Sequence, residues 1–317
     1  MRRYAPLRAQ VNPMSAREDA NETAEFLIDT FEDPYLSDPG APLAMDVAAA
    51  THEGRIRARN EDHYVVLRFR RSLENISTNL VRDVVRGNYD LTGYGLLVAD
   101  GLGSMAGGEI ASRTALTKLI ELIIETPDWI MGLEDHAKVN SVLDRMTERF
   151  FRVDQTLKRQ VDDDPSLSGM GTTLTAAAIL NSDIILGHIG DSRAYLYRSG
   201  VLKQLTSDHT VAQELINAGI DAADPVTRSM RHVLTAALGS LGTRIKPEVQ
   251  RLQLRPYDEI LLCTDGLTKM VDDKTIVSAL RTAPSAAKAC EDLTALALAA
   301  GGRDNITMIV ARLGGSV

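Results

Sequence analysis

Tyr94-Gly95-Leu96-Leu97-Val98-Ala99-Asp100-Gly101 and Ile260-Leu261-Leu262-Cys263-Thr264-Asp265-Gly266 share one pattern. In each, four successive apolar residues lead, at once or after a threonine, into Asp-Gly. Runs without polar alternation are expected of strands buried on both faces. Such strands imply sheet packed against sheet with helices outside. An Asp-Gly that follows emerges at the edge of the core, where the carboxylate can meet a cation and the glycine lets the backbone turn tightly.

Two more acidic boxes share this relation to apolar runs, Asn60-Glu61-Asp62 and Asp304-Asn305. Gathering acids from such distant points would cost several kcal/mol per unpaired buried ion, so the arrangement points to neutralising cations. The donors are oxygens, and neither Cys263 nor Cys290 lies in a Cys/His cluster. That favours Mg2+ or Mn2+ over zinc.

The 317 residues hold no Pro/Gly/Ser-rich or charge-run linker between about Met45 and Leu313, which predicts one large domain over 45–317 behind an N-terminal extension, 1–44. That extension carries Glu18, Asp19, Glu22, Glu25, Asp29, Glu32, Asp33 and Asp38, so it reads as acidic and largely flexible. Within it, Ala24 to Phe31 could form one amphipathic turn that docks on the domain or on a partner. The apolar runs are too short to cross a bilayer, and Met1 to Pro13 has no apolar signal core, so neither membrane insertion nor secretion is expected. Two cysteines suggest reduced thiols and a cytoplasmic location. A net charge of −8 argues against nucleic acid, which needs a basic footprint.

Short strand-like runs at Met45–Thr51, His63–Phe69 and Tyr94–Asp100 give way to a helical stretch over Gly108–Ile124 and a second over about Glu134–Gln160. Strands are expected at Thr173–Leu180, Ile184–Ile189 and Arg193–Arg198, the last turning at Ser199-Gly200. A helix near Val211–Ala218 follows, headed by His209 with Ser207 or Asp208 as its N-cap. Strands at about Glu248–Leu254 and Glu259–Thr264, two helices to Ala300 and a closing strand at Ile306–Leu313 complete the chain. Blocks of strands and blocks of helices indicate an α+β layered domain.

Read in order, the boxes resemble the metal-dependent PPM-type (type 2C) serine/threonine protein phosphatases, in particular their bacterial members. The resemblance rests on Gly54-Arg55-Ile56-Arg57 with Asn60-Glu61-Asp62, VADGLGSMAGGEIAS at 98–112, MGTTLTAAAI at 170–179, HIGDSRAYLYRSGVLKQLTSDHT at 188–210, LLCTDGLTKMVDD at 261–273 and GGRDNITMIVARL at 301–313. It implies an αββα four-layer sandwich of two antiparallel sheets flanked by helices. It also implies hydrolysis of phosphoserine and phosphothreonine by direct attack of a water bridging two Mn2+ or Mg2+ ions. The substrates implied are phosphorylated proteins, the products of a serine/threonine kinase. By position, Asp100 would bridge both ions, with the Gly101 carbonyl and Glu61 on the second and Asp265 and Asp304 on the first. Asp191 with Asp265 would admit a third, weaker ion. Arg57 and Asp62 fill the family's catalytic places, Arg57 gripping the substrate phosphate and Asp62, with Asn305, orienting the ligands. The flap corresponds to about 211–237.

Two departures stand out. The loop Asp100-Gly101-Leu102-Gly103-Ser104-Met105 lacks the histidine that many relatives carry as the acid for the leaving alcohol. A general acid contributes typically ~10²- to 10⁴-fold, so peptide hydrolysis should be handicapped relative to aryl phosphates. His52 and His63 lie near the first box, but His63 reads as a packed or surface residue opening a strand. The stretch 68–93 is long and arginine-rich, consistent with a solvated helix or hairpin extension, or with a surface for an acidic partner. Two other classes share parts of the pattern: a catalytically weak or silent phosphatase-like scaffold, although a scaffold need not retain the acids, and a Mg2+-dependent nuclease, although this composition offers no basic groove.

Overall fold

The computed structural model describes residues 27–31, 45–74, 76–77, 88–103, 107–127, 136–180, 182–240 and 245–314. Thirteen strands and seven α-helices occur among them. The first sheet contains β1 (Leu27–Phe31), β2 (Met45–His52), β9 (Arg193–Arg198), β10 (Val201–Gln204), β12 (Glu259–Cys263) and β13 (Ile306–Leu313), in the order β1-β2-β13-β12-β9-β10. The second contains β3 (His63–Glu74), β4 (Asn88–Ala99), β7 (Leu174–Leu180), β8 (Asp183–Ile189) and β11 (Glu248–Gln253), in the order β11-β8-β7-β4-β3. Every pairing is antiparallel.

The unbroken apolar runs account for the layering. In β4, Leu96 and Val98 face the inter-sheet core with Ala177, Leu186, Leu262 and Ile309. Leu97 and Ala99 face the opposite way, onto the layer of α1 (Gly107–Glu125) and α2 (His136–Asp163). In β12, Ile260 and Leu262 point inward, while Leu261 and Cys263 meet α6 (Asp273–Thr282) and α7 (Ala286–Ala299). Helices therefore cover both outer faces, giving the expected αββα sandwich. The short α3 (Val211–Asn217) and α4 (Pro225–Ser229) lie in the flap segment, and α5 (Asp265–Thr268) follows β12 directly.

Several expectations are refined. Leu27–Phe31 is a strand on the edge of the first sheet, with Leu27 opposite Thr51 and Phe31 opposite Val47, and not an amphipathic turn. Ladder bonds with β2 hold one side of its backbone extended, which outweighs a weak local preference for a turn. The rest of 1–44 lies outside the described residues. Within 68–93, the described residues 68–74 and 88–93 extend the β3/β4 hairpin, the two strands staying in register from His63↔Ala99 to Glu74↔Asn88, and 78–87 lie outside the described residues. The helix after His209 is capped by Thr210, whose hydroxyl accepts from the Gln213 amide at 3.2 Å. Asp208 is instead held by Arg193 in two bonds of 2.8 and 2.6 Å, so it is not the cap. β10 had no counterpart in the strand-like runs of the sequence; it closes a hairpin through Ser199 and Gly200, both in the left-handed region. α2 continues through Asp163, and Asp164 then caps a 3₁₀ turn at Pro165–Leu167.

Candidate metal centre

Antiparallel pairing carries all the acidic boxes to one end of the sandwich. In the second sheet, β4 and β8 both run toward that end and deliver Asp100 and Asp191, and β3 starts there just after Glu61-Asp62. In the first sheet, β12 ends there at Cys263, just before Asp265, and β13 begins there just after Asp304-Asn305. Acids as far apart in sequence as Glu61 and Asp304 thus share one edge.

Their mutual influence is visible in their protonation. Burial, then the charges of Asp62, Asp265, Asp191 and Asp304, push the Asp100 carboxyl well above the usual carboxylate range. Asp191 is raised by burial and by Asp265, against an opposing pull from Lys269. Asp62 is also raised, chiefly by burial, although the Thr264 hydroxyl donates to its Oδ2 at 2.8 Å. Glu61 is raised by burial above all.

Among the described residues, no group of three or more His, Cys, Asp or Glu side chains meets at the spacing of a finished metal cage. Two cations reach into the acids instead. Arg57 forks onto Asp304, Nε to Oδ1 at 2.8 Å and an Nη to Oδ2 at 3.0 Å. Lys269, one helical turn beyond Asp265, contacts Asp265 Oδ2 and lies 3.8 Å from Asp304 Oδ2. Burial alone would lower the Lys269 ammonium, but Asp265, Asp191 and Asp304 outweigh it and raise it. Two carboxylate oxygens, Asp62 Oδ1 and Asp265 Oδ1, are buried without a hydrogen-bond partner. Unpaired buried acceptors in a crowd of repelling carboxylates fit hard divalent cations, and the all-oxygen donor set suits Mg2+ or Mn2+.

The frame around these acids is closely bonded. Asn305 donates to the carbonyls of Glu53 and Arg59, both at 2.9 Å, and its Oδ1 accepts from the Glu61 amide at 2.8 Å. One side chain therefore pins the loop that carries Arg57 and Glu61. The Thr173 hydroxyl accepts from the Asp100 amide at 2.9 Å, and the Thr172 hydroxyl donates to the Asp100 carbonyl at 2.8 Å. Gly101 and Gly266 do not have the positive φ that a tight turn would suggest. They are required by close approach: a Cβ on Gly101 would strike the Gly108 carbonyl, and one on Gly266 the Asn305 carbonyl.

Sequence reading missed Lys269 and the threonine frame. The Asp265/Lys269 spacing of four residues, a favourable pair on a helix, was the available signal for the lysine. His63 is tied to Ser112, Nδ1 to Oγ at 2.9 Å, and the Nδ1 of His52 accepts from the Gly54 amide at 2.8 Å, so both are engaged in the frame. Residues 104–106, which hold the place of the absent loop histidine, lie outside the described residues.

The protein phosphatase 2C family matches residues 81–300. The serine/threonine protein phosphatase PstP of Mycobacterium tuberculosis is 35% identical over 237 residues, 73% of this chain and 43% of that protein. This chain thus spans less than half the length of that relative. The serine/threonine phosphatase stp of Listeria monocytogenes is 29% identical over 267 residues, covering 84% of this chain and 95% of that one. A crystal structure of the catalytic domain of PstP in complex with two manganese ions superposes with a TM-score of 0.66 at 32% identity, covering 86% of this chain and 99% of the other.

Proposed function

The chain belongs to the protein phosphatase 2C family, and from that premise we propose that it is a metal-dependent protein serine/threonine phosphatase acting on phosphorylated proteins that a serine/threonine kinase has modified. The observation that carries this reading is the gathering of Glu61, Asp62, Asp100, Asp191, Asp265 and Asp304 at one end of the sandwich, with buried carboxylate oxygens on Asp62 and Asp265 that no hydrogen bond satisfies. Asp100, the Gly101 carbonyl, Glu61, Asp265 and Asp304 would hold two Mn2+ or Mg2+ ions, and Asp191 with Asp265 a weaker third. Bound there, the ions supply an activated water and neutralise phosphoryl oxygens.

The chain's own residues prepare that chemistry. Asn305 fixes the 53–61 loop so that Arg57 and Glu61 face the acids together. Thr264 orients Asp62. Arg57, exposed over half its side chain, offers a planar fork that suits two phosphate oxygens once released from Asp304. Cys263 and Cys290 are buried, and burial pushes both thiols up to about 12, so neither is a candidate nucleophile. Buried free thiols are compatible with a cytoplasmic setting, and among the described residues no helix is long and apolar enough to cross a membrane. The division into a 1–44 extension and a 45–317 catalytic domain, with a flap at about 211–237, belongs to the same reading, the extension adding Leu27–Phe31 as an edge strand to the domain's first sheet.

The test is phosphate release from a phosphothreonine peptide with Mn2+ and with EDTA, for wild type and Asp265→Asn. Turnover that requires Mn2+ and falls at least ~100-fold in the variant is expected. Metal-independent turnover, or an unaffected variant, would overturn the reading.

A further inference from the structure

α1 and α2 pack antiparallel: Arg152 pairs with Glu125, and Arg149 donates to the Thr126 carbonyl at 2.6 Å. Their outer faces leave a groove of about 700 Å³. Arg113, Lys118, Arg152 and Arg159 line it against a single acid, Glu121. Three of these cations already pair with acids, Arg113 with Glu109, Lys118 with Glu121 and Arg152 with Glu125, so with its flanking acids the groove carries four cations against three acids, a local positive excess in a chain whose net charge is −8. Threonine and glutamine side chains between the cations add hydroxyl and amide donors. The groove offers charge and hydrogen bonds over a lining that is more polar than apolar.

Its position relative to the metal centre gives it a use. Arg113 is flanked by Ser112, whose hydroxyl donates to the Glu61 carbonyl at 2.6 Å. Glu109 lies 3.7 Å from Arg113, and Gly108, the residue before it, is packed against the Glu61 carboxyl. The near end of the groove therefore lies within one helical turn of the proposed ligand Glu61. From Arg113 to Glu121 the helix rises about 12 Å, the length of about four residues of extended peptide.

We infer that this groove docks an acidic stretch of the phosphoprotein substrate, a few residues to one side of the phosphorylated serine or threonine. The inference rests on the phosphatase reading for the identity of the partner. Carboxylates, or further phosphates, meet Arg113 and Arg159 at the near end and Lys118 and Arg152 further out. Contacts of this exposed kind contribute modestly each and are weakened by salt, so docking adjusts substrate preference and leaves the chemical step unchanged.

The test uses the full chain and three probes: a fluorescein-labelled Glu/Asp-rich peptide without phosphate, a phosphothreonine peptide with acidic flanks, and the same peptide with alanine flanks. A triple variant, Lys118→Ser with Arg152→Ser and Arg159→Ser, is compared with wild type at ~50 mM salt, where charge contacts are least screened. Acidic-peptide binding about tenfold weaker, and KM for the acidic phosphopeptide raised about as much, are expected. kcat/KM for the alanine-flanked peptide and for an aryl phosphate should be unchanged. Arg159→Ser alone, a milder change, should show about a twofold effect in the same direction. Equal binding by wild type and variants, or a parallel fall on every substrate, would overturn the docking site. Groove-dependent binding with no phosphopeptide turnover by wild type would overturn the phosphatase reading while upholding the groove.

Discussion

Arg57 and Asp304 form a two-point ion pair across 247 residues of sequence, with contacts of 2.8 and 3.0 Å. The arginine assigned to substrate phosphate and an aspartate assigned to metal thus satisfy each other. An Arg57 freed from Asp304 by cations has its planar fork available for phosphate oxygens. Arg57→Lys retains the charge and loses the fork. KM for a phosphothreonine peptide should rise about tenfold or more, with a smaller change in kcat, as steady-state kinetics with saturating Mn2+ would show. An unchanged KM would confine Arg57 to the ion pair.

Lys269 occupies the same acids from the other side, against Asp265 and Asp304. A cation on the ligands competes with any metal that needs them. Lys269→Gln should therefore bind Mn2+ a few-fold more tightly in calorimetry, while its metal-free form melts a few degrees lower. Weaker Mn2+ binding by the variant would show that the lysine supports the metal.

Away from the acids, His188 is fully buried between Thr175 and the carbonyls of Gly190 and Ser207. Nε2 faces two acceptors and must carry the proton, so Nδ1 accepts from the Thr175 hydroxyl. Burial, with the neighbouring His209 ring, lowers its pKa to about 3. Above pH 6.5 the ring is neutral in both folded and unfolded chains and costs nothing. As pH falls below 6.5 the unfolded chain takes up a proton that the fold refuses, and stability is lost progressively toward pH 3. The loss should reach roughly 2 kcal/mol by pH 5, taking about 1.4 kcal/mol per pH unit. The raised carboxylates act in the opposite direction, so the contrast between wild type and His188→Gln isolates the histidine. Urea midpoints should fall less steeply with acid in the variant; parallel profiles would contradict the assignment.

Gly266 is held against the Asn305 carbonyl with no room for a methyl group. Gly266→Ala must separate β12 from β13 at the point where Asp265 and Asp304 are aligned. A loss of about 1–3 kcal/mol or more in urea unfolding is expected, with weaker Mn2+ binding. A variant as stable as wild type would mean that this strand end yields easily.

The layers were legible because Leu96-Leu97-Val98-Ala99 and Ile260-Leu261-Leu262-Cys263 are apolar on both faces, which only a doubly covered strand requires. The boxes were legible because Asp-Gly at a strand end joins a local turn signal to a charge that needs compensation. β10 escaped notice because a four-residue edge strand with every other residue exposed carries little periodic signal. The strand at Leu27–Phe31 is not legible locally because its extended state depends on pairing with Val47–Thr51, which no pattern within these five residues announces. The Thr210 cap displaced Asp208 through a tertiary contact, Arg193, that no local pattern announces. The glycines after Asp100 and Asp265 could be read as necessary, but their reason, backbone packed on backbone, exists only in three dimensions.

The central claim is that acids converging on one end of the sandwich hold the cations that hydrolyse phosphoprotein. Asp100, whose protonation responds to four other aspartates, is the member to remove. Calorimetric titration of wild type and Asp100→Asn with Mn2+, with phosphothreonine-peptide turnover measured on the same samples, tests it most directly. Wild type should bind at least two ions and turn over; Asp100→Asn should lose at least one ion and ~100-fold or more in kcat. Metal binding and turnover equal to wild type in Asp100→Asn would contradict the account.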